Sequence, residues 1–172
     1  MDPLLRVINV SRTFSDLWAL ENINLDVMPG EVIGVAGSSG AGKSVLAKII
    51  AGLYEPTSGD LYFEGRRYSG FHPALVRSLG IEVIHQRPEL VDQLDITANV
   101  FLGREITGGF FKHSMRWEDQ RAMHMQTQRI FDELGVRFDS LQEKAANLSG
   151  EERQIVAIAR ALVGDGRLVV ID

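Results

Sequence analysis

Residues 37–44 read GSSGAGKS, a spacing of glycine, lysine and serine that suits a chain of phosphates. It fits G-x-x-x-x-G-K-[ST], the loop that binds nucleoside triphosphates. Glycines let successive backbone N–H groups face an anion. Lys43 would place a charge on the β- and γ-phosphates, and Ser44 would ligate Mg²⁺. The residues predicted to contact the nucleotide here are Gly37, Ser38, Ser39, Gly40, Ala41, Gly42, Lys43, Ser44 and Val45.

A carboxylate at the far end of the sequence fits the same chemistry. Residues 167–172 (RLVVID) read as an apolar, buried strand that delivers Asp172 at its C-terminal tip. In open α/β sheets, ligands lie at those tips. An aspartate that only ends a strand is common, but beside a phosphate loop Asp172 is predicted to hold Mg²⁺, directly or through water.

Strands must position both features. Residues 4–10 and 23–27 alternate apolar and polar side chains, which predicts half-buried strands. Residues 31–36 (EVIGVA) are nearly all apolar, which predicts a strand buried on both faces. Further strands are predicted at 60–64 and 81–84.

Helices follow these strands. A helix over residues 43–51 continues from the phosphate loop and ends at Gly52. Residues 95–135 read as helical around a loop at 108–111. Their predicted buried face consists of Met123, Thr127, Ile130, Phe131 and Leu134. A last helix, 150–163, has a predicted apolar stripe of Ile155, Ile158, Ala159 and Leu162. Alternating strands and helices predict an α/β fold with a mainly parallel sheet.

Composition narrows the classes of function. A net charge of −5 argues against a general nucleic-acid binder. The absence of cysteine excludes disulfides and thiolate metal sites. No apolar run approaches the roughly 18 residues that span a bilayer, so we expect any membrane role to require a partner.

Three further stretches extend the pattern: AGLYEPTSGDLYFEG at 51–65, IEVIHQRPELVDQLDITANVFLGRE at 81–105, and LSGEERQ at 148–154. In this order, with the phosphate loop, they resemble the ATPases of the ATP-binding-cassette (ABC) family over essentially the whole chain. The 81–105 stretch is similar to the ATPase subunits of bacterial sugar (monosaccharide-type) importers.

The resemblance implies an α/β P-loop NTPase fold with a RecA-like parallel sheet core. An N-terminal antiparallel β subdomain and an inserted helical subdomain complete it, and its C-terminal part is expected to be incomplete. The implied division is residues 1–94 for the β subdomain and phosphate-loop core, and 95–150 for the helical subdomain. Residues 151–172 would carry the signature helix and the Walker B strand.

The resemblance also implies roles for residues outside the loop. Gln86 would contact Mg²⁺ and the attacking water and sense the transmembrane partner; the alternative is a polar residue after a strand. The expected catalytic residues are Lys43, Gln86 and Asp172. The expected Mg²⁺ ligands are Ser44, Gln86 and Asp172. Phe14 would stack on adenine, with Trp18 as a rival and a packed loop aromatic as the alternative.

The implied assembly is a head-to-tail dimer of cassettes, the second of which can be fused in the full-length chain. Ser149 and Gly150 would serve the partner's γ-phosphate. ATP and Mg²⁺ are the expected cofactors. The expected partners are permease subunits, gripped by the helical region, and indirectly a solute-binding protein, but no nucleic acid. The expected location is cytoplasmic, on the inner face of the cell membrane. Arg12 and Arg87 are interpreted as solvated surface residues, with contact to phosphate or to a partner as the alternative.

Two departures from the family pattern are visible. Glu151 and Glu152 replace glycine and glutamine of L-S-G-G-Q, where they suit a capped helix better than a phosphate site. The glutamate that follows Asp172 in the family is not in this sequence, so we expect a fragment that hydrolyses almost no ATP. A permease-free ABC ATPase and a degenerate, non-hydrolytic cassette stay open as alternatives.

Overall fold

The structure, a computed structural model, describes residues 2–68, 70–108, 117–164 and 166–172. The strands are β1 (Leu5–Phe14), β2 (Leu17–Val27), β3 (Ser58–Phe63), β4 (Arg66–Tyr68), β5 (Ile81–Ile84), β6 (Thr107–Gly108), β7 (Trp117–Glu118) and β8 (Leu168–Ile171). The α-helices are α1 (Lys43–Ile50), α2 (Pro73–Ser78), α3 (Ile96–Val100), α4 (Gln120–Glu133) and α5 (Gly150–Val163). A 3-10 turn lies at Ala145–Asn147.

The chain forms two compact units. The first contains Met1–Val83 and Arg167–Asp172, and the second contains Ile84–Gly166. The three-part division predicted at residues 94 and 150 stays a prediction.

An antiparallel sheet in the order β2-β1-β3-β4 dominates the first unit. Alternate residues of β1 point into the core, where Leu5 and Val7 are almost fully buried. The β1–β2 hairpin closes at a turn in which Ser15 has a φ of 53°. The strands predicted at 4–10 and 23–27 are confirmed, and both extend further because this turn forms without the glycine that usually marks it.

Helix α1 buries Leu46, Ile49 and Ile50 in the same core. The predicted helix 43–51 is confirmed, and Gly52 follows its C-cap with a φ of 72°. The predicted strands at 60–64 and 81–84 are found as β3 and β5, and β5 pairs with β8 in a two-stranded sheet.

The prediction of a buried strand at residues 31–36 is wrong. The side chain of Val32 is 96% exposed and that of Val35 is 53% exposed. Within the described residues, 32–36 make no hydrogen bond to any strand. A strand buried on both faces needs partners that satisfy its N–H and C=O groups. Without such partners among the described residues, the run forms no strand and stays exposed.

Strand β8 is half-buried, which corrects the prediction of a buried strand. Leu168 and Val170 pack on the first unit's core, whereas Val169 is 39% exposed and Ile171 is 68% exposed. Only one face of the strand has a packing partner in the described residues.

The second unit is built on α3, α4 and α5, which surround Phe101, Phe131 and Val156. The predicted buried face of α4 is confirmed for Met123, Thr127, Ile130 and Phe131, whereas Leu134 is 38% exposed. Gly135, with a φ of 69°, follows the helix as expected. The reading of 95–135 as helical is only partly right, since α3 is short and β6 and β7 intervene. Residues 109–111 of the predicted loop lie outside the described residues.

Helix α5 has the predicted bounds, and its predicted apolar stripe is confirmed only in part. Ala159 is buried and Ile155 packs on the core of the second unit, whereas Leu162 is 46% exposed. Val156 and Ala161, outside the predicted stripe, are also buried. The segment IVAIARALV has apolar residues on several faces, so packing against α3 and α4 selects one of them.

No α-helix in the described ranges is long and apolar enough to cross a bilayer.

Candidate nucleotide-binding site

The phosphate loop runs directly into the N-terminus of α1. Gly42 is the N-cap in a left-handed conformation, with no hydrogen bond from a capping side chain. The first intrahelical bond joins the N–H of Leu46 to the carbonyl of Gly42, at 2.9 Å. The N–H groups of Lys43, Ser44 and Val45 therefore have no intrahelical acceptor. No acidic residue lies in this first turn.

Two glycines set the path of the loop. Gly42 has a φ of 87°, and a β-carbon there would lie 2.3 Å from the carbonyl oxygen of Ala19. Gly40 has a φ of 81°, but open space surrounds it. A glycine is therefore required at position 42 for both its positive φ and the lack of space for a β-carbon. At position 40 only the positive φ favours glycine.

Lys43 reaches back over its own loop. Its Nζ donates to the carbonyl oxygens of Gly37 and Ser38, at 2.9 Å and 2.8 Å. Uncapped N–H groups, a helix N-terminus and this ammonium together form a donor set that suits a polyphosphate. The residues at this loop therefore fit the nucleotide that the motif predicts.

Two of the predicted Mg²⁺ ligands, Ser44 and Asp172, lie in the same unit as the phosphate loop. Ser44 is exposed in the first turn of α1, and Asp172 follows β8 in the same unit. No group of three or more His, Cys, Asp or Glu in the described ranges could hold a metal ion by itself. A hydroxyl and one carboxylate still fit Mg²⁺, which keeps several waters and shares phosphate oxygens.

The two candidate base-stacking aromatics lie on the β1–β2 hairpin. Phe14 pairs with Leu17, and Thr13 pairs with Trp18. Directly opposed residues in an antiparallel pair share a face, so the Phe14 and Trp18 side chains point to opposite faces. Phe14 is 39% exposed and Trp18 is 59% exposed.

The remaining predicted residues belong to the second unit. Gln86 is exposed after β5, and its side chain makes no hydrogen bond in the described part of the chain. Ser149 and Gly150 lie at the start of α5. The structure thus gathers residues 37–45 into one loop and helix, and places Gln86, Ser149 and Gly150 in the other unit.

The start of α5 is closed by its own side chains. Ser149 Oγ and Ser149 N–H both donate to Glu152 Oε2, each at 2.7 Å. Glu152 N–H donates back to Ser149 Oγ at 3.3 Å, which completes the predicted capping box. The hydroxyl and then the N–H of Ser149 lower the pKa of Glu152. One carboxylate therefore occupies donors that a phosphate oxygen would need.

A polar network in the second unit was missed from the sequence. Asn99 is fully buried, and its Nδ2 donates to the carbonyl of Val91 while its Oδ1 accepts from the N–H of Val91. Arg160 of α5 donates to the Asn99 carbonyl at 2.8 Å and to the Glu89 carbonyl at 2.9 Å. Burial lowers the pKa of Arg160, and the Glu89 charge opposes that effect. The sequence feature that could have indicated this network is an asparagine inside the otherwise mainly apolar run ITANVFL.

Arg153, about two helical turns before Arg160 on α5, makes further contacts with the same segment of the chain. It donates to the Ala145 carbonyl at 2.7 Å and to Asp92 Oδ1 at 2.8 Å. The segment 89–95, which follows Gln86, is therefore bound to α5 by two arginines.

Comparisons with known proteins agree with this geometry. A sequence profile of the family described as "ABC transporter" matches residues 20–172. The xylose/arabinose import ATP-binding protein XylG of Sulfolobus acidocaldarius is 37% identical over the whole chain. The ribose import ATP-binding protein RbsA of Yersinia pestis is 38% identical over 99% of it. The chain spans 66% of the first relative's length and 32% of the second's.

Solved structures support the fold. A nucleotide-free ATP-binding cassette from an ABC transporter superposes with a TM-score of 0.80 at 27% identity, over 99% of this chain and 68% of that one. A dimeric cassette in a post-hydrolysis state, bound to ADP and Pi, superposes with a TM-score of 0.78 at 25% identity. The match covers 98% of this chain and 73% of that one. The predicted P-loop NTPase fold class is confirmed, and the chain belongs to the ABC transporter family.

Proposed function

We propose that this chain is part of an ATPase subunit that powers the import of a sugar through a separate membrane permease. The observation that carries the proposal is the uncapped N-terminus of α1 with the Lys43 ammonium folded over its loop. The sugar-import relatives support the transport role.

Each proposed residue has a separate task. The N–H groups of residues 40–45 and Lys43 would hold the phosphates of ATP, with Phe14 under the base. Ser44, Asp172 and Gln86 would hold Mg²⁺, which supplies charge neutralisation for the transferred phosphoryl group. Gln86 would also orient the attacking water.

The proposed assembly is a head-to-tail pair of cassettes on permease subunits at the inner face of the cell membrane. Ser149 and Gly150 would then face the partner's γ-phosphate, with the N-terminus of α5 directed at it. An indirect partner would be a solute-binding protein outside the membrane.

The first test is what the full-length protein binds. We expect it to bind Mg-ATP and to co-purify with a membrane permease. Co-purification with ribosomes or DNA instead would contradict the transport role and favour the permease-free alternative. Lack of Mg-ATP binding in calorimetry would contradict the ATPase role itself.

The Glu152–Ser149 contact favours a second candidate, a cassette with a weakened signature site. In a dry interface, a carboxylate near the γ-phosphate repels it at a dielectric well below that of water. We expect the double variant Glu151→Gly, Glu152→Gln to raise the ATPase rate of the full-length assembly. An unchanged rate would count against the weakened site and leave the transport proposal intact.

A further inference from the structure

Arg12 lies against the aromatic ring that is proposed to receive the base. Its guanidinium carbon is 4.7 Å from the centroid of the Phe14 ring and 5.8 Å from that of Tyr54. These distances are within the range of cation–π attraction. The interpretation of Arg12 as a solvated surface residue is therefore wrong.

The guanidinium is anchored inside the first unit. Arg12 Nη1 donates to the carbonyl oxygen of Glu55 at 2.7 Å, and its Nε is buried without a hydrogen-bond partner among the described residues. The guanidinium therefore lies over one face of the Phe14 ring. Phe14 is still 39% exposed, so part of its surface is open to a ligand.

Tyr54 packs against the same ring. The Phe14 and Tyr54 centroids are 5.3 Å apart with an interplanar angle of 72°, an edge-to-face contact. Lys48 of α1 places its Nζ 5.5 Å from the Tyr54 centroid. The Phe14 ring is thus held by both Arg12 and Tyr54.

This cluster is fastened to the segment that follows the phosphate-loop helix. Thr57 N–H donates to the Ser11 carbonyl at 2.8 Å, and Thr13 N–H donates to Thr57 Oγ1 at 3.1 Å. The hairpin that carries Phe14 and the helix that begins at the phosphate loop are therefore held at a fixed separation. A ligand with a planar group at one end and phosphates at the other would contact both elements.

Trp18 has no comparable support. It lies on the opposite face of the hairpin, and in the described part of the chain its ring makes no aromatic or cation contact. An unrestrained ring loses more rotamer entropy when it stacks than one already fixed by its neighbours.

We propose that Arg12 and Tyr54 are positioning residues that hold Phe14 as a one-faced stacking platform for a purine base. The inference deepens the proposed function, on which it rests. Stacking on a single ring face depends on overlap area, so a bicyclic purine gains more than a pyrimidine. ATP and GTP should bind alike, and CTP more weakly.

The test separates the base from the phosphates. Binding of Mg-ATP and of Mg-tripolyphosphate, which has no base, is measured by calorimetry on the full-length protein and its Arg12→Met variant. We expect Arg12→Met to weaken ATP binding by roughly three- to tenfold and to leave tripolyphosphate binding unchanged. Arg12→Lys, which keeps the cation but loses the guanidinium plane, should recover part of the loss.

The control is Arg6→Met, on the same strand and ion-paired with Asp26 at the surface, which should leave both affinities unchanged. Equal weakening of ATP and tripolyphosphate by Arg12→Met would overturn the proposal, because Arg12 would then act on the phosphates or the fold. Unchanged ATP affinity would overturn it as well. Failure of the unsubstituted protein to bind either ligand would instead contradict the proposed function.

Discussion

The first turns of helices α1 and α5 are satisfied in opposite ways. At α1 the N-cap is Gly42, no side chain caps the helix, and no acidic residue follows. At α5 the N-cap is Ser149, a full capping box is formed, and Glu151 and Glu152 lie in the first turn. The start of α1 thus has the Lys43 ammonium beside it, whereas the start of α5 has the carboxylates of Glu151 and Glu152.

The difference teaches how a helix start becomes a binding site. The free N–H groups of a first turn need an acceptor from somewhere. Where the chain supplies one, as Glu152 and Ser149 do, the terminus is stable and an incoming anion must displace it. Where the chain supplies only glycine and lysine, the terminus is stabilised when an external anion arrives.

The strongest way to break the α1 arrangement is Gly42→Ala. The alanine would require a left-handed backbone and would press its β-carbon on the Ala19 carbonyl. We expect the free energy of unfolding to fall by about 3 kcal/mol or more in chemical denaturation. The control Gly40→Ala shares the positive φ but has open space, and should cost only about 1 kcal/mol. Equal costs would show that the close approach at Gly42 is unimportant.

Removal of the α1 ammonium tests the ligand side of the comparison. Lys43→Met should weaken Mg-ATP binding by about 1.5–3 kcal/mol, or roughly ten- to a hundredfold in Kd, because charge-assisted hydrogen bonds to phosphate are lost. Calorimetry on the full-length protein measures it. Arg129→Met, an exposed arginine paired with Glu133 on α4, removes the same net charge and should have no effect. A similar loss in both variants would point to net charge alone.

The two termini should also differ in how much a serine contributes to stability. Ser149→Ala removes the N-cap of α5 and should lower the free energy of unfolding by about 1 kcal/mol. Ser39→Ala in the phosphate loop should change it by less than about 0.5 kcal/mol, because the Ser39 side chain makes no hydrogen bond in the described residues. Comparable losses would mean that the phosphate loop is capped after all.

Both helix starts could be predicted from the sequence because their chemistry is local. GSSGAGKS specifies the loop and the helix through glycine conformations and a lysine only a few residues apart. Ser149 and Glu152 form the capping box at the spacing that one helical turn requires. In each case the residues that interact are neighbours in the chain.

What the sequence could not predict depends on distant partners. Residues 31–36 look like a buried strand, but burial on both faces is decided by strands beside them. Arg12 looked solvated because Tyr54 and Glu55, more than forty residues away, supply its contacts. Asn99 and Arg160 are likewise joined only after α3 and α5 pack together.

The smallest expected effect concerns the charge that closes α5. The pKa of Glu152 is lowered by the Ser149 hydroxyl and N–H, so its carboxylate form stabilises the folded state. That stability is present above the ordinary glutamate range and is lost as the pH falls through the lowered pKa. Wild type should therefore exceed Glu152→Gln in free energy of unfolding near pH 7, and the gap should shrink in acid.

The matched control for Glu152 is its neighbour Glu151, which shares the first turn of α5 but makes no hydrogen bond in the described part of the chain. If the contact with Ser149 is what matters, Glu151→Gln should show a clearly smaller change with pH in the same denaturation series. An equal change in both variants would mean that the field at the helix start, not the hydrogen bond, favours the carboxylate. The contrast with α1 would then depend on the charge of the first turn as much as on the capping box.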